Sequence, residues 1–327
     1  MKRRDFVAIV LVAWAIGPDW VLAQAPSSRP LIGVLLGGSQ ATVHRWLAGF
    51  PEGLQALGYL EKRDYEIEYR YADGDLTRLT KLATQLVSLN PDIIVVGSTA
   101  AALAAKRAAP SVPIVVAAAT NPVHFGLAKN EALPGKNITG MLAGFESLAG
   151  KQLELGLDLL PGKSQVGILL NPANVTSEVH KQNAETAAEA KGADLSWVTA
   201  SAPSHINKAM DELASRRVDY VIVPADAMFL SERRRIAELA LALKLPAIYA
   251  FREHVEAGGL ISYGVDLREQ FRLAANYVDK ILKGANPSDL PFEEPTKFEM
   301  MINMKTAKAF ELTIPPPLLD RADEVVE

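Results

Sequence analysis

The sequence predicts an α/β protein made of two similar, doubly wound parallel-sheet lobes joined by hinge strands. Short β-branched runs alternate with helical patterns along most of its 327 residues, a length that suits two domains. The segments IGVLLGGSQ, PDIIVVGST and VPIVVAA recur in the second half at nearly constant spacing as VGILLNPAN, VDYVIVPAD and LPAIYAF. Such internal repetition indicates two lobes with the same winding, not one large sheet.

The first half begins with LIGVLL, an apolar run that predicts a buried strand closed by Gly37-Gly38-Ser39. The helical pattern of HRWLAGFPEGLQALGY follows, in which Pro51 predicts a kink or a late start. YEIEYRY alternates with period two, as a strand with one polar face does. Asp75 is expected to cap LTRLTKLATQLVSL, and DIIVVG, TAAALAAKRAA and PIVVAAA complete a strand–helix–strand series.

The second half repeats this order and then continues past Gly264. LREQFRLAANYVDKILKG predicts a long helix, a proline-rich stretch spans 287–295, and KFEMMINM predicts a strand before a helix from Lys305. A chain that visits each lobe more than once has several hinge strands. We therefore expect the lobes to close around a ligand by a hinge motion.

The composition excludes several functional classes. With 49% apolar and 22% charged residues the chain is globular, and its net charge of −4 argues against nucleic-acid binding. The absence of cysteine excludes disulfides, zinc–thiolate sites, iron–sulfur clusters, cysteine nucleophiles and a lipid-anchored N-terminal cysteine.

Residues 1–25 have the pattern of a cleaved signal peptide. Lys2-Arg3-Arg4 precede the apolar run FVAIVLVAWAIG, and Ala23-Gln24-Ala25 fits a signal-peptidase site. Arg3-Arg4-Asp5-Phe6 resembles a twin-arginine signal, although an ordinary secretory signal fits equally well. We expect the mature chain to start near Pro26 in the periplasm, with no other segment crossing a membrane.

No catalytic, metal or cofactor motif is found. The histidines are far apart, and neither G-x-S-x-G nor a G-x-G-x-x-G after the first strand is present. GLDLLPGKS (156–164) resembles a phosphate loop but has five residues between its glycines and follows a helical pattern. The sequence thus favours a binding protein without cofactor or metal. An exported α/β hydrolase would need a nucleophile–base pair.

Polar loops at the carboxyl ends of the predicted strands are the candidate ligand site, because open α/β sheets bind ligands there. Hydroxyl and amide residues that begin helices cap them and present N–H groups to an anion, although capping alone explains any single loop. The candidate ligand-binding residues are Ser39, Gln40, Ser98, Thr99, Thr120, Asn121, Asn171, Asn174, Thr176, Ser177, Asp226, Phe229 and Tyr249.

Specific roles follow for some of them. Ser98-Thr99 and Thr176-Ser177 begin helices on opposite lobes and are expected to hold a ligand carboxylate. Asp226 is expected to select an ammonium or another hydrogen-bond donor, because Ser231 looks better placed to cap the helix ERRRIAELALALK. Phe229, Tyr249 and the neighbouring Phe251 either stack on a ligand ring or pack the core.

The chain also resembles the ABC transporter substrate-binding family, whose characterised relatives include tryptophan- and tyrosine-type binding proteins. The similarity is carried by ADGDLTRLTKLATQLVSLNPDIIV (72–95), ALPGKNITG (132–140), GKQLELGLDLLP (150–161), LPAIYAFREHVEAGGLISYG (245–264) and the segment 277–327. Two departures are Asn121, where the family usually has aspartate, and Leu133-Pro134-Gly135-Lys136-Asn137, where it usually has RPGGN.

The resemblance implies a type I periplasmic-binding fold, with lobe one at 30–142 plus about 265–290 and lobe two at 143–264 plus about 291–327. It implies a monomeric solute-binding protein of an ABC importer that closes around a small carboxylate ligand, such as an aromatic amino acid or aromatic acid. The partner would be a permease in the inner membrane. An exported sensor subunit of the same fold is the alternative.

Overall fold

Two sheets, each covered by helices on both faces, make up the computed structural model, which describes residues 29–327. The predicted signal peptide therefore lies outside the described residues. No helix within 29–327 combines the length and apolar character that crossing a membrane requires.

The chain up to residue 142 forms the first sheet. Its elements are β1 (Leu31–Leu36), α1 (Gln40–Leu47), α2 (Gly49–Ala56), β2 (Glu66–Tyr71), a 3-10 turn (Leu76–Arg78), α3 (Leu79–Val87), β3 (Ile93–Val96), α4 (Thr99–Ala108), β4 (Ile114–Ala119) and β5 (Ile138–Leu142). The strands pair in the order β2-β1-β3-β4-β5, all parallel.

The predicted helix around Pro51 is two helices in the structure, because α1 ends at Leu47 and α2 begins at Gly49. Pro51 occupies the first turn of α2, where a missing N–H costs no intrahelical bond. Because the residues before Pro51 are already helical, the structure has the kink, as a break at Ala48, and not the late start.

The rest of the chain forms the second sheet and one long returning helix. Its elements are α5 (Phe145–Leu159), β6 (Gln165–Leu170), α6 (Ser177–Lys191), β7 (Asp194–Thr199), a 3-10 turn (Pro203–His205), α7 (Ile206–Ser215), β8 (Tyr220–Val223), α8 (Ala227–Ser231), α9 (Arg233–Ala242), β9 (Ala247–Tyr249), α10 (Arg252–Glu256), β10 (Ile261–Val265), α11 (Leu267–Leu282), a 3-10 turn (Pro287–Asp289), β11 (Phe298–Asn303), α12 (Met304–Ala309), α13 (Pro316–Leu319) and β12 (Glu324–Val326).

The strands of the second sheet pair in the order β12-β11-β10-β9-β8-β6-β7. The predicted α/β class with two similar lobes is confirmed, but the second sheet is not wholly parallel. β11 runs antiparallel to β10, because it enters this sheet from the opposite side after the chain has returned through α11. We call the first sheet with its helices lobe one and the second sheet with its helices lobe two.

Helix α11 follows a strand of lobe two but packs on lobe one. It lies against α1 and α2 and contributes Phe271, Tyr277 and Val278 to the core that covers one face of the first sheet. The approach to α2 is close: a Cβ atom built at Gly49 would lie 2.2 Å from the carbonyl oxygen of Arg268. A glycine is therefore required at this helix–helix contact.

The chain crosses between the lobes three times, at 143–144, at Asp266 and at 294–297. The crossings lie side by side. The Lys297 ammonium binds the Asp266 carboxylate at 2.8 Å, and the Asp266 N–H donates to the Lys297 carbonyl at 3.2 Å. Although burial opposes ionisation, the Lys297 ammonium and the Glu269 N–H hold the pKa of Asp266 below its usual value. The crossings form one connected hinge.

Two glycines of α5 give a test of the lobe-two packing. A Cβ at Gly156 would lie 2.2 Å from the ring of buried Tyr220, whereas a Cβ at Gly150 would have its nearest neighbour at 3.6 Å. We expect Gly156→Ala to lower the free energy of unfolding by about 1–3 kcal/mol through overpacking. Gly150→Ala in the same helix should leave it unchanged or raise it by up to about 1 kcal/mol. Urea unfolding measures both, and equal effects would contradict the packing described here.

Candidate ligand-binding cavity

A cavity lies between the lobes, where the carboxyl ends of both sheets face each other. It has about 780 Å³ of empty space, counted out to its open mouth. Lobe one contributes residues from the loops after β1, β3 and β4 and from helices α1 and α11. Lobe two contributes Asn174, Thr176, Ala225, Asp226, Ala227, Leu230 and Phe251.

The lobe-one polar wall is built around the start of α4. Ser98 caps this helix, its Oγ accepting from the Ala101 N–H at 3.3 Å. The buried Thr99 hydroxyl donates to the carbonyl of Thr120 at 3.2 Å and accepts from its N–H at 2.8 Å. The first N–H groups of a helix have no intrahelical partner, and Ser98, Thr99 and Ala100 all line the cavity. This wall presents hydrogen-bond donors.

Asp226 organises the lobe-two polar wall. It caps α8: Oδ1 accepts from the N–H groups of Met228 at 2.9 Å and Phe229 at 3.1 Å. Its Oδ2 accepts from Asn171 Nδ2 at 3.0 Å and Asn174 Nδ2 at 2.9 Å. Only 4% of Asp226 is exposed, and burial raises the pKa of its carboxyl group although all four hydrogen bonds oppose the shift.

The expectation that Ser231 would be the cap and Asp226 the free group is wrong. A short helix, α8, begins directly after Asp226, and Ser231 is its last residue, donating to the Ala227 carbonyl at 2.9 Å. Helix α9 begins only at Arg233, with Glu232 before it and no side-chain cap. Asp226 lines the cavity, but its oxygens are engaged within the protein.

Apolar side chains form the larger part of the cavity wall, and most of them were not predicted. The rings of Trp46 and Phe271 pack with centroids 4.7 Å apart, joined by Phe251 and by Leu36, Val43, Leu76, Leu230 and Leu267. Trp46 and Phe271 lie on helix faces that also build the core. The helical periodicity of these residues predicts that the helix face is buried. It does not show that one end of that face reaches a cavity.

Of the predicted site residues, Ser98, Thr99, Thr120, Asn174, Thr176 and Asp226 line the cavity. Asn171 and Ser177 lie behind this wall, where Ser177 Oγ donates to the Asn171 carbonyl. Thr176 Oγ1 donates to Asn174 Oδ1 at 2.9 Å. Asn171 and Ser177 support the loop after β6 and are not part of the cavity surface.

The other predicted residues lie elsewhere. Ser39 caps α1, accepting from the Thr42 N–H at 3.3 Å, and Gln40 is exposed. Asn121 has a left-handed backbone conformation (φ 40°), and its Oδ1 accepts from the His124 N–H at 3.0 Å, which fixes a turn.

Phe229 and Tyr249, expected either to stack on a ligand ring or to pack the core, are buried in the core of lobe two. Tyr249 stacks on His254 with ring centroids 4.7 Å apart. Phe251, two residues beyond Tyr249, is the aromatic residue of this strand end that lines the cavity. The alternative of core packing is therefore the correct one for Phe229 and Tyr249.

Direct contacts between the lobes enclose the cavity. A Cβ built at Gly37, in the loop after β1, would lie 3.1 Å from the Cβ of Ala227 in α8. Arg45 of α1 forms a salt bridge with Glu256 of α10. The small residues on both sides allow the two loop regions to meet above the cavity.

The comparisons with known proteins agree with this arrangement. The family model described as ABC transporter substrate binding protein matches residues 32–326. The chain belongs to this family. It is 28% identical to a tyrosine-binding protein of Clostridioides difficile (strain R20291) over 281 residues, which are 85% of this chain and 81% of the relative.

Two solved structures show the same fold over 91% of this chain and all of theirs. One is a conserved domain protein from Vibrio cholerae, with 28% identity and a TM-score of 0.85. The other is the ABC domain from Streptococcus pneumoniae in complex with L-Trp, with 27% identity and a TM-score of 0.84. The resemblance read from the sequence is confirmed. The protein is a solute-binding protein of an ABC transporter, from a family that works outside the cytoplasm.

The buried histidine beside the cavity predicts a pH dependence of stability. The His254 ring is fully buried, and burial lowers its pKa to about 3, although the neighbouring backbone groups of Phe251 and Phe229 oppose the shift. The unfolded chain binds a proton near pH 6.5, so stability is fully present above that pH and is lost as the pH falls towards 3. Between pH 7 and 5 we expect His254 to account for a loss of about 2 kcal/mol.

Chemical unfolding at several pH values measures this dependence. His254→Phe should flatten the pH profile, while part of the slope remains because burial also lowers the pKa of His180 to about 4. His124→Phe is the matched control, since that ring is exposed. Identical profiles for wild type and His254→Phe would contradict the prediction.

Proposed function

We propose that the protein captures a small carboxylate-bearing ligand with an aromatic or other apolar body and delivers it to an ABC permease in the inner membrane. The observation that carries this proposal is the composition of the interlobe cavity. Donors at the start of α4 lie in the same cavity as an apolar wall containing Trp46, Phe251 and Phe271. A carboxylate fits the donors, and a ring or alkyl chain fits the apolar wall.

In this proposal the carboxylate binds at Ser98-Thr99, where the N-terminus of α4 provides free N–H groups and the positive end of a helix dipole. Thr176, at the N-terminus of α6 in lobe two, lies across the same cavity. Ser177, its neighbour, supports the loop through Asn171 and has no direct role. The ligand thus lies between the N-terminus of α4 in lobe one and the polar loop before α6 in lobe two.

Capture would be a population shift between an open and a closed form. The lobes, proposed at 30–142 plus about 265–290 and 143–264 plus about 291–327, move about the three crossings. A ligand that contacts both lobes only in the closed form stabilises that form by its differential affinity. The permease would recognise the closed surface, and no covalent step is involved.

The relatives support an aromatic body for the ligand. One is named as a tyrosine-binding protein, and another was solved with L-Trp bound. We further infer that the protein is a monomer in the periplasm and that it acts without enzymatic activity, cofactor, metal or nucleic-acid partner. Groups of acidic or histidine residues able to hold a metal ion are absent from the described residues.

A thermal-shift screen of aromatic amino acids, aromatic acids, aliphatic acids and sugars tests the ligand class. A ligand present at 100 times its Kd should raise the stability by about 2.7 kcal/mol. We expect at least one carboxylate with an apolar body to do so. Stabilisation by neutral sugars or by cations alone would contradict the proposal.

Two helix caps provide a matched pair for the binding site. Ser98→Ala and Ser39→Ala each remove an N-cap, from α4 and α1 respectively, and each should cost about 1 kcal/mol of stability. Of these two serines, only Ser98 lines the cavity. By calorimetry with the best ligand of the screen, Ser98→Ala should weaken binding about tenfold, the equivalent of one charge-assisted hydrogen bond. Equal affinities for the two variants would exclude a carboxylate site at α4.

The proposed export gives a separate test. Cleavage after Ala23-Gln24-Ala25 would leave a mature protein that starts near Pro26. We expect intact mass measurement of periplasmic material to show this shortened chain. Periplasmic protein that retains Met1 would contradict the proposal.

A further inference from the structure

We propose that the cavity selects a carboxylic acid without an α-ammonium group, an arylalkanoic or alkanoic acid in preference to the corresponding amino acid. This inference rests on the proposed function and narrows its ligand class. The reasons are the single carboxylate of the cavity wall, whose acceptor positions are occupied, and the N–H groups at the start of α4, which have no partner inside the helix.

An ammonium group brings three donors and no acceptor, so its burial requires acceptor atoms with free lone pairs. Asp226 is the only acidic side chain among the described residues that line the cavity. Its carboxylate has about four acceptor positions. The bonds from Met228, Phe229, Asn171 and Asn174 occupy all of them. An ammonium could bind Asp226 only by displacing one of these donors.

Two neutral acceptors of the wall are engaged as well. Asn174 Oδ1 accepts from the Thr176 N–H at 3.1 Å and from its hydroxyl at 2.9 Å. The Thr120 carbonyl accepts from the Thr99 hydroxyl at 3.2 Å. Asn121, at the edge of the same region, uses its Oδ1 in a turn with His124 and does not line the cavity.

Unsatisfied donors, by contrast, are present. The indole Nε1 of Trp46, a cavity residue, is buried and lacks a hydrogen-bond partner among residues 29–327. The leading N–H groups of α4 at Thr99 and Ala100 have no partner inside the helix. A ligand that supplies only acceptors satisfies the N–H groups at the start of α4, and a carboxylate is such a ligand.

The charge of Asp226 does not reverse this preference. The carboxylate is 4% exposed and lies at the N-terminus of α8, where two N–H groups and two side-chain amides meet its oxygens. Its role is to position Asn174 and α8 at the cavity wall. A bound amino acid would bury its ammonium without an equivalent partner, and each such unpaired group weakens binding about tenfold or more.

Calorimetry with matched pairs tests the inference on the full mature protein. The pairs are 3-phenylpropionate with L-phenylalanine, indole-3-propionate with L-tryptophan, and 4-methylpentanoate with L-leucine; each acid is the amino acid without its ammonium group. We expect the acid of the best-binding pair to bind at least about tenfold more tightly than its amino acid. Tighter or equal binding of the amino acid would overturn the inference and leave the proposed function intact.

Two further results complete the test. Failure of all six compounds to bind would contradict both the inference and the apolar carboxylate of the proposed function. Asp226→Asn identifies the role of the carboxylate: if Asp226 only positions its neighbours, the ratio of the two affinities within a pair stays unchanged. A selective loss of amino-acid binding in this variant would show an ammonium contact and overturn the inference. The wild-type comparison decides the question even if Asp226→Asn folds poorly.

Discussion

Parallel strand pairing is the constraint on which the cavity depends. Because the strands of the first sheet all run in one direction, the loops after β1, β3 and β4 meet at one edge, which brings together Gly37, Ser98 and Thr120. The loops after β6, β8 and β9 do the same in the second sheet. The two edges face each other, so residues far apart in sequence form one wall on each side. The cavity is a property of the topology and not of any single loop.

Within lobe two, one buried carboxylate holds the wall together. Asp226 links the loop after β6, through Asn171 and Asn174, to the start of α8. Burying a carboxylate is costly unless donors replace the lost water, and here four donors do so. Removing it would leave two amide groups and two N–H groups without their acceptor. The same saturation that makes Asp226 structurally important makes it a poor partner for a ligand cation.

Much of the fold could be predicted from the sequence, because fully apolar β-branched runs such as LIGVLL and DIIVV have few alternatives to a buried parallel strand. The site could be predicted only in part. Ser98, Thr99 and Thr120 follow strand ends directly, and topology brings them together. Tyr249 and Phe251 are two positions apart in the sequence, yet Tyr249 lies in the core and Phe251 lines the cavity. The difference depends on where the strand ends. The short helix α8, which changed the role of Asp226, has no periodic pattern to mark it.

The triple crossing between the lobes has a thermodynamic consequence for capture. Two domains on a single flexible tether lose many relative orientations when they clamp a ligand, and that entropy loss weakens affinity. Here Asp266 and Lys297 tie two of the crossings together, and Gly144 of the third packs against Pro295. In the proposed capture, three adjoining connections would leave the lobes fewer relative orientations than a single tether does. Less orientational entropy would then be lost on closure, and more of the contact energy between ligand and cavity would appear as binding affinity.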